Sequence, residues 1–170
     1  MSEMFSVFNP LLPDKQTGTL CFGNLYGSSD ALLINNIAEK HTGLTVVVTK
    51  STNEALRLET AFRFFQTAKQ ETRILSFPDW ETLPYDVFSP HQDIISQRIS
   101  TLYHLPDTRK GILIIPVNML MQKLAPRQFL SANSLLLSVG DTINTSLFRQ
   151  QLEASSYVCV SQVMEHGEFA

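Results

Sequence analysis

Thr45-Val46-Val47-Val48-Thr49, followed within two residues by Ser51-Thr52-Asn53-Glu54, is a strand running into a helix start. All five strand residues are β-branched, with no polar alternation, which is the pattern of a strand covered on both faces. Ser51 and Glu54 have capping-box spacing, in which each side chain accepts a hydrogen bond from an N–H that the first helical turn leaves free. Behind them, Leu56, Ala61, Phe64 and Phe65 mark the inward face of an amphipathic helix ending near Lys69.

The same alternation extends in both directions. Toward the N-terminus, Asp30 to Lys40 reads as a helix with Ser29 or Asp30 as its cap. Its face is Leu33, Ile34 and Ile37, and Gly43 supplies the stop. Before it, a strand at Thr19–Phe22 enters the loop Gly23–Ser29, and residues 1–18, with Asn9-Pro10, Pro13 and Gly18, form an irregular lead-in. Toward the C-terminus, Arg73–Phe77 is a strand stopped by Pro78, and 79–90 is an ordered aromatic loop. Pro90 opens a helix through His104 with Ile94, Ile95, Ile99 and Leu102 inward. Gly111–Ile115 is a continuous apolar strand, and Asn118–Leu124 a short helix closed by Pro126. Strand and helix in alternation predict an α/β fold, a parallel sheet with helices on both faces and right-handed crossovers.

After Gln128 the rhythm changes. Ser134–Val139 reads as a strand, Gly140-Asp141 as a turn, Ser146–Ala154 as a helix and Tyr157–Val163 as a strand. A strand so near the last residue reads as unfinished. The chain is therefore expected to be a fragment: lead-in 1–18, an α/β domain at 19–128, and at 129–170 the truncated beginning of a smaller α+β domain.

Composition narrows the function classes. The 170 residues are 44% hydrophobic and 17% charged, a mixture that supports a packed core without staples. Thirteen Lys and Arg against sixteen Asp and Glu give a net charge of −3 with no basic cluster, which argues against a free-standing nucleic-acid binder. Cys21 and Cys159 have no CxxC or Cys/His partner spacing and read as buried small hydrophobes in a reducing compartment. No apolar run approaches a membrane span, and the N-terminus lacks a signal-peptide pattern, so the expectation is a soluble cytoplasmic protein with no membrane partner.

The segment that most invites a chemical reading is the loop before the first helix, because strand, Gly-rich loop and helix N-terminus together cradle nucleotide phosphates. Gly23, Gly27, Ser28 and Ser29 supply that setting. Asp30 stands where the P-loop needs Lys, and Ala31 where it needs the magnesium-binding hydroxyl. A carboxylate there repels a triphosphate, so the loop reads as a tight strand-to-helix turn and a degenerate nucleotide site. Asp79-Trp80-Glu81 resembles an acidic metal box, but Pro78 and Trp80 fit a structural loop better, and Asp86 and Asp93 complement helix dipoles. His41, His91, His104 and His166 are isolated in sequence, and Arg57, Arg63, Arg73, Arg98 and Arg109 are dispersed over different elements. No nucleophile motif is present, so no catalytic or metal-binding residue is assigned.

Three blocks carry a resemblance. They are Asp79-Trp80-Glu81-Thr82-Leu83-Pro84-Tyr85-Asp86-Val87-Phe88-Ser89-Pro90-His91-Gln92-Asp93-Ile94-Ile95-Ser96 with Arg98, Gly111-Ile112-Leu113-Ile114-Ile115-Pro116-Val117-Asn118-Met119-Leu120-Met121-Gln122, and Gln162-Val163-Met164-Glu165-His166-Gly167-Glu168-Phe169. Together they closely resemble the N-terminal region of bacterial transcription-repair coupling factor, strongest from Leu75 onward and collinear from Thr19.

The resemblance implies a module similar to the core of UvrB, an α/β domain interrupted by a smaller domain that recruits UvrA. It also implies a restraining role, through packing against other domains of the parent protein. ATP and magnesium, RNA polymerase and duplex DNA belong, on this reading, to parts outside this chain, the parent being an ATP-dependent DNA translocase. UvrB's DNA-gripping hairpin follows a YDxxxP stretch, whereas here Tyr85-Asp86 to Pro90 passes directly into the Ile94 helix. The UvrA-contacting residues are expected beyond Ala170, so none is assigned. The implied function is a non-catalytic adaptor and regulatory module. The alternatives are a residual nucleotide-binding domain and a UvrB-like DNA-binding module.

Overall fold

A computed structural model describes residues 6–10, 12, 18–66, 72–82, 87–132, 137 and 139–170. The chain divides into two compact units, Met1–Asp79 with His104–Gln122, and Trp80–Tyr103 with Lys123–Ala170.

The first unit holds a mixed helix and strand fold around a parallel sheet. Its strands are β1 (Leu44–Thr49), β2 (Ile74–Ser76) and β3 (Gly111–Pro116), in the order β1-β3-β2. β3 is the centre, with all six residues buried, as its unbroken apolar run requires. Register pairs Val47 with Ile114 and Ile74 with Ile112. Helices α1 (Ser29–Lys40) and α2 (Thr52–Phe65) supply Ala31, Ala38, Ala55, Leu58 and Phe62 to a core shared with Val47, Ile112 and Ile114. Burying each large aliphatic or aromatic side chain there is worth about 1.5–3 kcal/mol.

The capping box forms, displaced by one residue on its second bond. Ser51 Oγ accepts from Glu54 N at 3.3 Å, while Glu54 Oε2 accepts from Lys50 N at 3.0 Å. α1 ends where His41 turns extended, its N–H donating to Ile37 O at 2.8 Å. Gly43 follows under the His41 ring, whose Nε2 would lie 2.8 Å from any Cβ there. The described lead-in is tied to α1: Asn36 Nδ2 donates to Val7 O at 2.8 Å and Lys40 Nζ to Pro10 O at 3.0 Å.

Several expectations are corrected. Residues 18–26 contain no strand, so the loop before α1 does not leave a sheet strand; Thr19, Leu20 and Cys21 are exposed and gain no face to bury. β1 is covered on one face only: Val47 and Thr49 are buried, while Val46 and Val48, which alternate with them, are about half exposed. On α2 the inward residues are Ala55, Leu58 and Phe62, with Ala61 and Phe65 of the expected face packed against the same core, whereas Leu56 is 55% and Phe64 81% exposed. Leu56 and Phe64 lie among the exposed Asn53, Arg57, Thr60 and Arg63 on the outward side of this helix. The expected helix at 118–124 is a 3-10 turn, Val117–Met121, and α2 stops at Phe65, residues 67–70 lying outside the described ones.

The second unit contains α3 (Gln92–His104, less its last residue), α4 (Arg127–Ala132), α5 (Thr145–Ala154) and a parallel pair, β4 (Val158–Cys159) and β5 (Glu168–Phe169). Asn144 caps α5, its Oδ1 accepting from Ser146 N and Leu147 N. α3 starts at Gln92, two residues after Pro90, because the His91 carbonyl accepts the Ile94 and Ile95 N–H groups. Its buried residues include Arg98 and Thr101, while Ile99, expected inward, is 46% exposed. The strand expected over 157–163 is confined to two residues, since 160–167 make the connection to β5. Cys21 and Cys159 are both exposed, not buried. The expected strand at 134–139 falls largely outside the described residues.

Candidate functional site

The loop before α1 is built on left-handed backbone. Asn24 has φ +57° and Gly27 φ +61°, and Ser29 N–H and Oγ both donate to Tyr26 O, at 3.2 and 2.6 Å. Ser28 precedes the first helical residue without a side-chain cap bond. A Cβ added at Gly23 or Gly27 would meet nothing within 4 Å, so the loop stands open to solvent. With Asp30 at the Lys position, the P-loop spacing GxxxxGK[ST] places Asn24 and Ser29, rather than Gly23 and Gly27, at the glycines.

Asp30 occupies the positive end of α1, where an anion is favoured. Its Oδ1 accepts from Ala31 N at 2.7 Å, and Arg57 of α2 approaches both oxygens, Nη1 to Oδ1 at 3.3 Å and Nη2 to Oδ2 at 2.5 Å. Partial burial raises the carboxyl pKa, but the Arg57 hydrogen bonds, the Ala31 N–H and the Arg57 charge together outweigh it and hold the group below its ordinary value. Asp30 in turn raises the Arg57 pKa, chiefly through that hydrogen bond. The helix terminus thus carries its own anion with its own counter-cation. Ala31 is fully buried in the core, so its position is a packing position that faces no ligand.

The acidic motif at 79–98 separates into distinct roles. Asp79 Oδ2 accepts from Asn118 Nδ2 at 2.6 Å, which joins the segment after β2 to the turn after β3 within the first unit. In the second unit the buried Arg98 places its guanidinium 4.0 Å from the centre of the Trp80 ring, a cation–π contact. Glu81 takes a left-handed φ of +56°. Leu83, Pro84, Tyr85 and Asp86 lie outside the described residues.

Asp93 gathers two histidines that sequence spacing left isolated. Its Oδ2 lies 3.4 Å from His91 Nδ1 and its Oδ1 3.3 Å from His166 Nε2. His91 Nδ1 also accepts the Asp93 N–H at 3.3 Å. Gln92 and Asp93 line an open cavity of about 430 Å³ with the segment 163–166. That segment is held by Glu168 Oε2, which accepts from Met164 N and Glu165 N. His91 and His166 are 75 positions apart, so local spacing carried no signal of this cluster. Among the described residues no three His, Cys, Asp or Glu side chains are placed to hold a metal ion. Nor is any helix among them long and apolar enough to cross a membrane.

Comparison with curated proteins supplies what the geometry does not. The chain is 46% identical over 163 residues to the transcription-repair-coupling factor of Haemophilus influenzae, a match covering 96% of this chain. The corresponding protein of Escherichia coli is 44% identical over 159 residues, 94% of the chain. This chain is homologous to a stretch of the transcription-repair-coupling factors. It spans 14% of the length of each of those two relatives. The Staphylococcus aureus coupling factor matches at 27% over 147 residues. No protein-family model matches the chain.

Proposed function

We propose that this chain is a non-catalytic adaptor and regulatory module of a transcription-repair coupling factor, a protein that removes RNA polymerase stalled at DNA lesions and recruits UvrA for excision repair. The observation that carries the proposal is identity of 44–46% to coupling factors over nearly the whole chain.

On this reading 19–128 is a UvrB-like α/β domain and 129–170 begins the small UvrA-recruiting domain, whose contact residues lie beyond Ala170. The site before α1 supports a degenerate, non-hydrolytic role. Asp30, already paired with Arg57, puts a negative charge at the helix start, Ala31 beside it has no hydroxyl for magnesium, and Gly23 and Gly27 do not fall at P-loop spacing ahead of them. ATP, magnesium, RNA polymerase and duplex DNA are handled elsewhere in the parent protein, and this module's partners are UvrA and the parent's other domains. It works in the cytoplasm.

The test uses a full-length coupling factor with this segment deleted. ATP hydrolysis and polymerase removal are expected to persist while calorimetric binding of UvrA is lost. Loss of ATP hydrolysis, or undiminished UvrA binding, overturns the proposal.

A second reading, a residual nucleotide-binding domain, is favoured by the open loop Gly23–Ser29 against the α1 N-terminus. It requires ATP to stabilise the folded chain.

A further inference from the structure

We draw no further inference here: the strongest candidate, the open cavity at the N-terminus of α3 where Asp93 lies between His91 and His166, carries nothing, because each imidazole meets a different oxygen of one exposed carboxylate, no three such groups are placed to hold a metal among the described residues, and no second observation points to a ligand.

Discussion

Arg57 grips the Asp30 carboxylate through both terminal nitrogens, and so ties the first turn of α1 to the exposed side of α2. The two residues are 27 positions apart and belong to different helices, so the pair adds a polar link at the rim of the core that α1 and α2 share.

Asp30→Asn tests the pair through pH. The folded pKa of Asp30 lies below the ordinary 3.8, so the folded state binds this proton less readily than the unfolded chain. The contribution to stability is therefore complete above about pH 4 and is lost as the pH falls through the depressed folded value. With Arg57 43% exposed, the loss on substitution is expected to stay below about 1 kcal/mol at pH 7. Urea titrations of both proteins should differ at pH 7 and converge toward pH 2, and a difference independent of pH contradicts the account.

Phe62→Ala and Phe64→Ala separate the two sides of α2. Phe62 is fully buried against β3, and its truncation should cost about 3–5 kcal/mol. Phe64 is 81% exposed, and its truncation should stay within about 0.5 kcal/mol. Equal losses in chemical denaturation would place the helix in a different rotation.

Arg98→Met removes the cation above Trp80, the chain's single tryptophan and hence a local fluorescence reporter. Emission should shift, and stability fall by about 1–2 kcal/mol. An unchanged Trp80 spectrum argues that the stacking does not exist in solution.

Gly111→Ala should be costly and Gly23→Ala silent. At Gly111 a Cβ would lie 2.6 Å from Arg73 O, a backbone atom of the residue just before β2, so a loss of about 1–3 kcal/mol is expected. At Gly23 a Cβ meets nothing within 4 Å, and the thermal midpoint should hold. A large loss at Gly23 would contradict the open loop and show that this position is packed.

The extent to which the sequence foretold this structure depends on the range of the interaction concerned. β3 was legible because its apolar run, Gly111–Ile115, needs burial on both faces whatever surrounds it, and the α2 start was legible because Ser51 and Glu54 act within one turn. The face of α2 was legible in part, since Ala61 and Phe65 pack against the core as expected, whereas Leu56 and Phe64 fall on the same side as Asn53, Arg57, Thr60 and Arg63 and stay exposed. The expectation that β1 is covered on both faces fails because β-branching reports strand formation and not how many faces are covered; Val46 and Val48 lie on the face that stays half bare. At the candidate site, Asp30 and Ala31 were visible as residue types, whereas Arg57 and the Asp93 cluster depend on tertiary proximity that no spacing rule encodes.

The most direct test of the central claim, a binding module that does not use nucleotide, is the thermal midpoint of the purified chain with and without millimolar ATP and magnesium. A ligand held only by the folded state at a hundred times its Kd adds about 2.7 kcal/mol of stability. The account predicts superimposable melting curves. A saturable rise in the midpoint that disappears on changing Gly27 would contradict it and restore the nucleotide-binding reading.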